Sequence, residues 1–234
     1  HKLTRIDKIR GFTGNAFTAF GNAIHDVCEK KLLKEEIEEE DYFLKRFEHF
    51  LGTLDEEPDQ KLVSDMRTQG KAILPEIEDA LEDYFGEYEV LGSEIPLDEP
   101  IEGEEEYIFK GYIDGVIVTP DGKVHIFDWK TCSWGWDAKR RSAPMTTYQL
   151  TLYKYFFAQK MEIDPKNIET HFALLKRTSK KDKVEFFRVT SGPRKTENAT
   201  KLLKKALYNI KNKRYIKNRM SCKFCDFNKT EHCM

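Results

Sequence analysis

The sequence lacks long hydrophobic runs. No stretch approaches the roughly 20 consecutive apolar residues that a membrane span needs, and the N-terminus lacks the short apolar core of a signal peptide. We therefore expect no membrane association and an intracellular, cytoplasmic protein. With 234 residues, the chain is long enough for one well-buried core and too short for several ordinary domains.

Cysteine is scarce as well. The chain has five cysteines, an odd number, and three of them, Cys222, Cys225 and Cys233, lie close to the C-terminus. In an intracellular protein, such clustering favours a bound metal over disulfides.

The net charge is small, but it is unevenly distributed. The formal value is -2, yet the stretch from Glu35 to Asp41 is almost entirely acidic. The stretch from Arg194 to Arg219 is rich in lysine and arginine and contains a single acid, Glu197. Such a basic segment suits a polyanion such as nucleic acid, although a solvated helix face has the same composition.

Apolar residues with helical spacing dominate the first 85 residues. Steps of three and four predict an amphipathic helix from about Asn15 to Leu33, which carries His25. The same spacing predicts a helix from Phe43 to Leu51 and another from Leu62 to Tyr84, separated by a polar break.

Alternation with a period of two then predicts strands. They run from Tyr88 to Pro96, Tyr107 to Val118 and Lys123 to Lys130, and the turn residues Thr119 to Gly122 join the last two into a β-hairpin. The segment from Thr131 to Met145 has no clear period and is predicted to be a loop. The remaining predicted elements are a helix from Met145 to Lys160, strands from Glu169 to Lys176 and from Val184 to Val189, and a helix from Lys195 to Lys211.

This order of elements predicts an α/β or α+β fold with a mixed central sheet flanked by helices. We expect a single domain over residues 1–234. Its parts would be a helical N-terminal part at 15–85, a sheet core at 86–190, and a C-terminal helix with a cysteine-rich tail at 191–234.

Two aspartates and a lysine lie at related positions on the predicted hairpin. With the turn centred near Asp121, Asp114 and Asp128 become cross-strand neighbours with Cβ atoms about 5 Å apart. Carboxylates at that distance repel one another, and a divalent cation such as Mg²⁺ or Mn²⁺ would offset the repulsion. Lys130 projects from the same strand face as Asp128. This set suits phosphodiester hydrolysis, although ordinary acids near a turn give the same pattern.

Four short motifs resemble those of the RecB-like branch of the PD-(D/E)XK nucleases, which includes the nuclease domains of RecB and AddB and the RecB-like CRISPR-associated nucleases. The motifs are His25 in Gly21 to His25, Asp114 in Gly111 to Asp114, Asp128-Trp129-Lys130, and Gln149 with Tyr153 in Tyr148 to Tyr153. The resemblance implies a restriction-endonuclease-like core of helix, three strands, helix and strand, which agrees with the order predicted from periodicity.

The resemblance also implies a role for each motif residue. His25, Asp114 and Asp128 would ligate the catalytic metal together with the main-chain carbonyl of Trp129, and Lys130 would be the catalytic lysine. A lone histidine on an amphipathic helix is more often a packed or surface residue than a ligand. The assignment of His25 as a ligand therefore depends on the presence of the other motifs.

Three further residues have supporting roles by the same resemblance. Gln149 and Tyr153, four residues apart on one helix face, would hold the DNA strand or organise the site, although such a pair also packs against sheets. Glu94, on the strand before the hairpin, falls where related sequences often have an acid.

The cysteine-rich tail resembles the end of several RecB-like nucleases, in which three cysteines and a fourth from before the histidine motif ligate a [4Fe-4S] cluster. No cysteine precedes His25 in this sequence. The fourth ligand is therefore Cys28 or a cysteine upstream of these residues, or the cluster is absent. A Zn²⁺ site fits the ligand chemistry equally well, and either metal would be a structural clamp. The candidate ligands are Cys222, Cys225, Cys233, and either Cys28 or His232.

Basic and aromatic residues near the motifs are candidate DNA contacts. Lysine and arginine bind phosphates without reading sequence, and tryptophans stack on unpaired bases, although tryptophans serve equally well as core or loop anchors. The candidates are Lys139, Arg140, Arg141, Lys180, Lys181, Trp134 and Trp136.

These features together predict a metal-dependent DNA nuclease. The first expectation is an exonuclease or end-processing enzyme that acts on single-stranded or unwound DNA in replication, recombination or repair, with a helicase or recombination protein as a candidate partner. A structure-selective or single-strand endonuclease is the alternative within the enzyme class. A non-cleaving DNA-binding or assembly module is the alternative outside it, and the intact Asp114, Asp128 and Lys130 set argues against that module. The oligomeric state stays open.

Overall fold

Helices and strands follow one another along the chain in the order that periodicity predicts. The computed structural model describes residues 3–4, 7–9, 11, 13–216 and 219–233. The helices are α1 (Ala16–Leu32), α2 (Glu39–Leu51), α3 (Gln60–Ile73), α4 (Glu76–Phe85), α5 (Ala138–Ser142), α6 (Pro144–Lys160) and α7 (Pro193–Lys211). The strands are β1 (Glu89–Ile101), β2 (Glu104–Val118), β3 (Val124–Cys132), β4 (Ile168–Lys176) and β5 (Val184–Val189). No helix among the described residues is long and apolar enough to cross a bilayer.

The five strands form one mixed sheet in the order β1-β2-β3-β4-β5. Neighbouring strands are antiparallel except β3 and β4, which are parallel and are connected through α5 and α6. A parallel pair needs such a crossover, because a short turn can join only antiparallel strands. The predicted α+β class with a mixed, helix-flanked sheet is confirmed.

Both faces of the sheet are covered, so side chains on both sides of β3 are apolar. Phe127 and Trp129 face the cluster formed by helices α1 to α4. Val124 and Ile126 face the cluster that contains α6 and α7. This alternation follows from the two-residue period of a strand. It makes β3 the buried centre of the fold, which is the strand that carries Asp128 and Lys130.

A capping box sets the start of α1. The Asn15 side chain accepts hydrogen bonds from the backbone N–H groups of Phe17 and Thr18, and the Thr18 hydroxyl in turn accepts from the Asn15 backbone N–H. These contacts satisfy amide donors that have no partner within the helix. The cap therefore fixes the helix that carries His25 across the sheet.

The predicted helix from Leu62 to Tyr84 is wrong in one respect, because the segment forms two helices. α3 ends at Ile73 and α4 begins at Glu76, on either side of Pro75. Proline has no amide hydrogen to donate to the preceding turn, so a continuous helix is disfavoured there.

The predicted loop from Thr131 to Met145 is also partly wrong. The first residues continue β3 to Cys132, and Ala138–Ser142 forms the short helix α5. The Asp137 side chain caps this helix by accepting from the Arg140 N–H at 2.7 Å. A five-residue helix is too short for its apolar residues to show a helical period.

Candidate active site

Three carboxylates lie at one level across β1, β2 and β3. The β2–β3 ladder ends at the pair Gly115 and Phe127, the residues directly before the level of Asp114 and Asp128. On the other side of β2, the pairs Ser93 with Gly115 and Ile95 with Ile113 flank Glu94 and Asp114. The register thus places Glu94, Asp114 and Asp128 side by side.

Asp114 lies where the regular pairing of β2 and β3 stops. Its Oδ2 accepts a hydrogen bond from the backbone N–H of Trp129 at 2.7 Å. The carboxylate therefore satisfies an amide that the end of the ladder would leave without a partner. One residue further along β2, Gly115 lets the two strands approach, because a Cβ there would lie 2.2 Å from the Phe127 ring.

Asp128 is buried, with 1% of its surface exposed. Its Oδ1 accepts a hydrogen bond from Gln149 Nε2 at 2.7 Å, and its Oδ2 forms an ion pair with Lys130 Nζ. Gln149 Nε2 also donates to Tyr153 Oη at 3.1 Å. A buried carboxylate requires such partners because it has lost its hydrating water.

Glu94 adopts an unusual backbone conformation for a strand residue. Its φ of 49° lies in the left-handed region, where side chains other than glycine are strained by about 1–3 kcal/mol. Such strain persists where the surrounding structure enforces it, and it occurs often at functional sites.

His25 of α1 completes the cluster from the helical side. Its Nδ1 lies 3.8 Å from Asp114 Oδ2. Burial, together with the positive charge of Lys130, lowers the pKa of His25 to about 4. The imidazole is therefore neutral near pH 7, which is the form that ligates metals.

The carboxylates repel one another. Burial raises the pKa of Asp114 to about 8, and the neighbouring charge of Asp128 adds to the increase. Burial also raises the pKa of Asp128, although Lys130 opposes that shift. The pKa of Glu94 is raised by desolvation and by the nearby acids Glu29, Asp26 and Asp128. One ammonium does not compensate three carboxylates, so the cluster favours an added cation.

The donor set fits a hard divalent cation. Carboxylate oxygens of Asp114, Asp128 and Glu94 are the ligands that Mg²⁺ and Mn²⁺ prefer, and the neutral His25 imidazole is compatible with Mn²⁺. In this structure Asp114 contacts the Trp129 amide, and Asp128 contacts the Gln149 amide and the Lys130 ammonium.

Of the two tryptophans predicted to contact DNA, one is exposed and one is in the core. Trp134 is 78% exposed. Trp136 is 7% exposed, packs on Phe172, and has the Arg140 guanidinium 4.4 Å above its ring. The prediction that Trp136 stacks on a base is therefore not supported, because its ring is buried. The alternative, that Trp136 anchors the core, agrees with this position. The apolar contacts of its large ring with β4 explain the burial.

The predicted basic contacts also differ in their surroundings. Lys139, Lys180 and Lys181 are exposed, as is Arg140. Arg141 donates to the Trp136 carbonyl and to Glu185, so it stabilises the fold around α5.

A cavity adjoins the end of β3, and only part of its lining was identified from the sequence. Its volume is about 380 Å³. Phe17 and Arg177 were not singled out as DNA contacts, because α1 and the end of β4 meet only in the folded chain; the Arg177 guanidinium lies 4.8 Å above the Phe17 ring. The basic turn after β4 was the only available signal for Arg177. The cavity is lined by Phe17, Thr131, Cys132, Ser133, Trp134, Gly135, Arg140 and Arg177.

The structure does not bring Cys28 to the tail cysteines. Cys28 lies on α1 and is fully buried in the core, whereas Cys222, Cys225 and Cys233 are exposed. Among the described residues, these cysteines and His232 do not form a group of three ligands within 4.8 Å. Cys28 as a fourth ligand is thus unsupported, because the middle of α1 faces the apolar core.

The chain belongs to the PD-(D/E)XK nuclease superfamily, whose family model matches residues 1–230. Members of this superfamily are nucleases that use divalent metals, in agreement with the donor set above. A search of the curated proteins finds no match.

The solved structures that are similar to this chain include the following two. One is a protein from Eubacterium rectale that is provisionally described as an exonuclease; it has a TM-score of 0.59 and 13% identity, over 97% of this chain and 80% of that one. At this identity the likeness shows the fold alone. The other is SSO0001, with a TM-score of 0.41 and 15% identity over 87% of this chain and 82% of that one. That similarity is too low to support a conclusion.

Proposed function

We propose that this protein is a divalent-metal-dependent deoxyribonuclease of the RecB-like branch, which removes nucleotides from the ends of single-stranded or unwound DNA. The observation that carries the proposal is the buried Asp128 with Lys130 on one side and Asp114 at the same level on the next strand. A protein that only binds DNA has no need for a group of carboxylates whose pKa values are raised by burial and by their neighbours' charges.

We assign the catalytic metal to Asp114, Asp128 and His25, with the Trp129 carbonyl and Glu94 as further donors. When bound, Mg²⁺ or Mn²⁺ supplies a water of lowered pKa and neutralises phosphate charge. Gln149 orients the Asp128 carboxylate by donating to its Oδ1.

Lys130 is the proposed catalytic lysine. Its ammonium is held at Asp128 Oδ2 by the ion pair. Negative charge develops on the phosphate oxygens during hydrolysis, and a fixed ammonium stabilises it.

The proposed DNA path leads from the exposed basic residues to the end of β3. Lys139 and Arg140 lie in α5, and Lys180 with Lys181 lie in the turn between β4 and β5. These charges would hold phosphates, and the exposed Trp134 ring would stack on an unpaired base. Stacking on an unpaired base would favour a single strand over a duplex, which supports end processing after unwinding, and therefore a helicase or recombination protein as partner.

We also propose a structural metal at the tail, held by Cys222, Cys225, Cys233 and His232. Gly11 of the N-terminal segment lies against Asp226 and Phe227 of the tail. This contact supports a clamp that ties the two ends of one domain together, as either a [4Fe-4S] cluster or a Zn²⁺ site.

Digestion of labelled DNA tests the proposal, with the label at one end of linear DNA and at an internal position of circular DNA. Single-stranded and double-stranded DNA, each linear and circular, is incubated with Mg²⁺, with Mn²⁺ and with EDTA. Metal-dependent loss of linear DNA alone supports the exonuclease, and cleavage of circles means an endonuclease. Absence of cleavage under every metal, with DNA still bound, would replace the enzyme by a binding module.

A further inference from the structure

A second cluster of metal-ligating side chains lies on β3 and β4, away from the carboxylates. His125, Glu169 and His171 each offer one ligand atom, and these three atoms lie within 4.8 Å of one another. His125 pairs directly with Glu169 in the parallel ladder, and His171 follows two residues later on the same face. His125 and Asp128 lie on opposite faces of β3, because strand side chains alternate. The cluster is therefore separate from the candidate active site.

The two imidazoles face each other from inside the fold. His125 Nδ1 lies 3.0 Å from His171 Nε2, and the two residues are 8% and 2% exposed. The Phe85 ring packs on both. Burial lowers the pKa of His171 to about 3 and also lowers the pKa of His125. Both rings are neutral near pH 7, as a metal ligand must be.

The outer ring nitrogens have oxygen partners. His171 Nδ1 lies 3.2 Å from Tyr84 Oη, and His125 Nε2 lies 3.1 Å from Thr119 Oγ1. Thr119 donates its hydroxyl hydrogen to Asp121 Oδ1 at 2.5 Å, so it accepts from His125. His125 therefore has its hydrogen on Nε2 and a free lone pair on Nδ1, directed at His171.

For His125 this arrangement is typical of a metal-bound histidine, and His171 matches it once its hydrogen moves from Nε2 to Nδ1, where Tyr84 Oη accepts it. A ligating imidazole commonly donates its other N–H to an oxygen, which fixes the tautomer and the ring orientation. The Glu169 carboxylate lies beside the pair and contacts Arg188 Nη2 at 3.0 Å. A carboxylate has two oxygens, so it is able to accept from Arg188 and to ligate a cation.

We propose that His125 Nδ1, His171 Nε2 and the Glu169 carboxylate hold a Zn²⁺ ion that joins β3 to β4, with a water as the fourth ligand. Two imidazoles and one carboxylate are a common zinc donor set, whereas Mg²⁺ prefers oxygen alone. Zinc bonds of about 2.0–2.1 Å need the nitrogens roughly 3.4 Å apart in a tetrahedral site, so the rings separate by a few tenths of an ångström on binding. Tyr84 and Thr119 are positioning residues.

Zinc content per chain tests the site. Equilibrium dialysis of the full chain compares the wild type with Glu169→Gln, His171→Gln and the control Glu56→Gln, an exposed residue between α2 and α3. The wild type and the control should bind one more equivalent of Zn²⁺ than the two variants. If a variant still binds that equivalent, its affinity should be lower by about tenfold or more. Equal zinc binding by all four proteins would show that the imidazoles form only a hydrogen-bonded pair.

The absorption spectrum of bound Co²⁺ distinguishes this site from the tail cysteines. Co²⁺ bound by nitrogen and oxygen gives visible bands, whereas cysteine ligation adds thiolate charge-transfer absorption. Glu169→Gln should weaken the visible bands and leave any thiolate absorption unchanged. The Glu169 side chain is only partly buried, so this variant stays informative if His171→Gln fails to fold. An unchanged cobalt spectrum in Glu169→Gln would overturn the proposal.

Discussion

Gln149 is the residue that connects α6 to the carboxylates. Its amide donates to Asp128 Oδ1 at 2.7 Å, while the ion pair with Lys130 occupies the other oxygen. Without the amide, Asp128 would keep its charge but lose its orientation. Replacing a side chain that orients a metal ligand typically lowers activity or metal affinity by about 10–100-fold.

We predict that Gln149→Leu lowers the cleavage rate by about 10–100-fold and raises the Mg²⁺ concentration needed for half-maximal rate. The matched control is Gln159→Leu, at the exposed end of the same helix. Cleavage is measured over a range of Mg²⁺ concentrations for both variants. A lower rate with an unchanged Mg²⁺ requirement would assign Gln149 to the DNA instead of to Asp128.

At the residue scale, local patterns in the sequence were sufficient to predict the site residues on the hairpin, but not those on other elements. Asp114 and Asp128 are equidistant from Asp121, and strand alternation adds Lys130, so local geometry was sufficient for these three. His25 and Gln149 came from the resemblance alone, because a helix period does not say which neighbour a side chain meets. The His125 cluster was missed because its members meet only through the pairing of β3 with β4.

At the scale of elements, the close approach of β2 and β3 depends on glycine. A Cβ at Gly115 would lie 2.2 Å from the Phe127 ring, which is shorter than any ordinary contact. The ring is fully buried between strand and helices, so moving it aside would disturb its packing. The register that aligns Asp114 with Asp128 therefore requires a residue without a side chain at position 115.

We predict that Gly115→Ala destabilises the fold by about 1–3 kcal/mol, the usual range for overpacking a buried contact. For a chain of this size, the melting temperature should fall by about 2–4 °C for each kcal/mol. Gly52→Ala is the control, because Gly52 has a helical φ of -66° and the nearest atom to an added Cβ is 3.4 Å away. Identical melting of the two variants would show that Phe127 has room that the structure does not indicate.

Element positions were largely predictable, and the errors have local causes. The alternating and helical periods of apolar residues predicted all five strands and the long helices. They could do so because each of these elements either has one apolar face or is buried on both faces. The break at Pro75 interrupts an apolar period that continues on both sides of it. α5 was missed because it is short and basic and is held by the Asp137 cap and the contacts of Arg141.

On the scale of the whole molecule, the exposed cysteines of the tail lie outside the sheet core. We predict that Cys225→Ser removes the tail metal and lowers the melting temperature by several degrees, because a structural metal contributes directly to folding free energy. Iron and zinc per chain are measured beside thermal unfolding, with Cys132→Ala as the control that keeps the tail intact. A Cys225→Ser protein with wild-type metal content and melting temperature would show that the tail is no clamp.

The basic surface gives a further whole-molecule prediction. Lys180 and Lys181 are exposed in the turn after β4, so replacing both with alanine should weaken DNA binding and reduce its dependence on salt. The slope of log affinity against log salt should become shallower by about one unit for each phosphate that the protein no longer neutralises. The affinity of each protein for single-stranded DNA is measured at several salt concentrations. An unchanged slope would place the DNA elsewhere on the surface.

The most direct test of the central claim is Mg²⁺-dependent hydrolysis of end-labelled single-stranded DNA by Asp128→Asn and Lys130→Ala. Asp98→Asn is the matched control, since Asp98 forms an exposed ion pair with Lys110 on the same sheet. We predict that both site variants bind DNA but do not cleave it, and that the control cleaves like the wild type. Undiminished cleavage by both site variants would contradict the assignment of the active site to Asp114, Asp128 and Lys130.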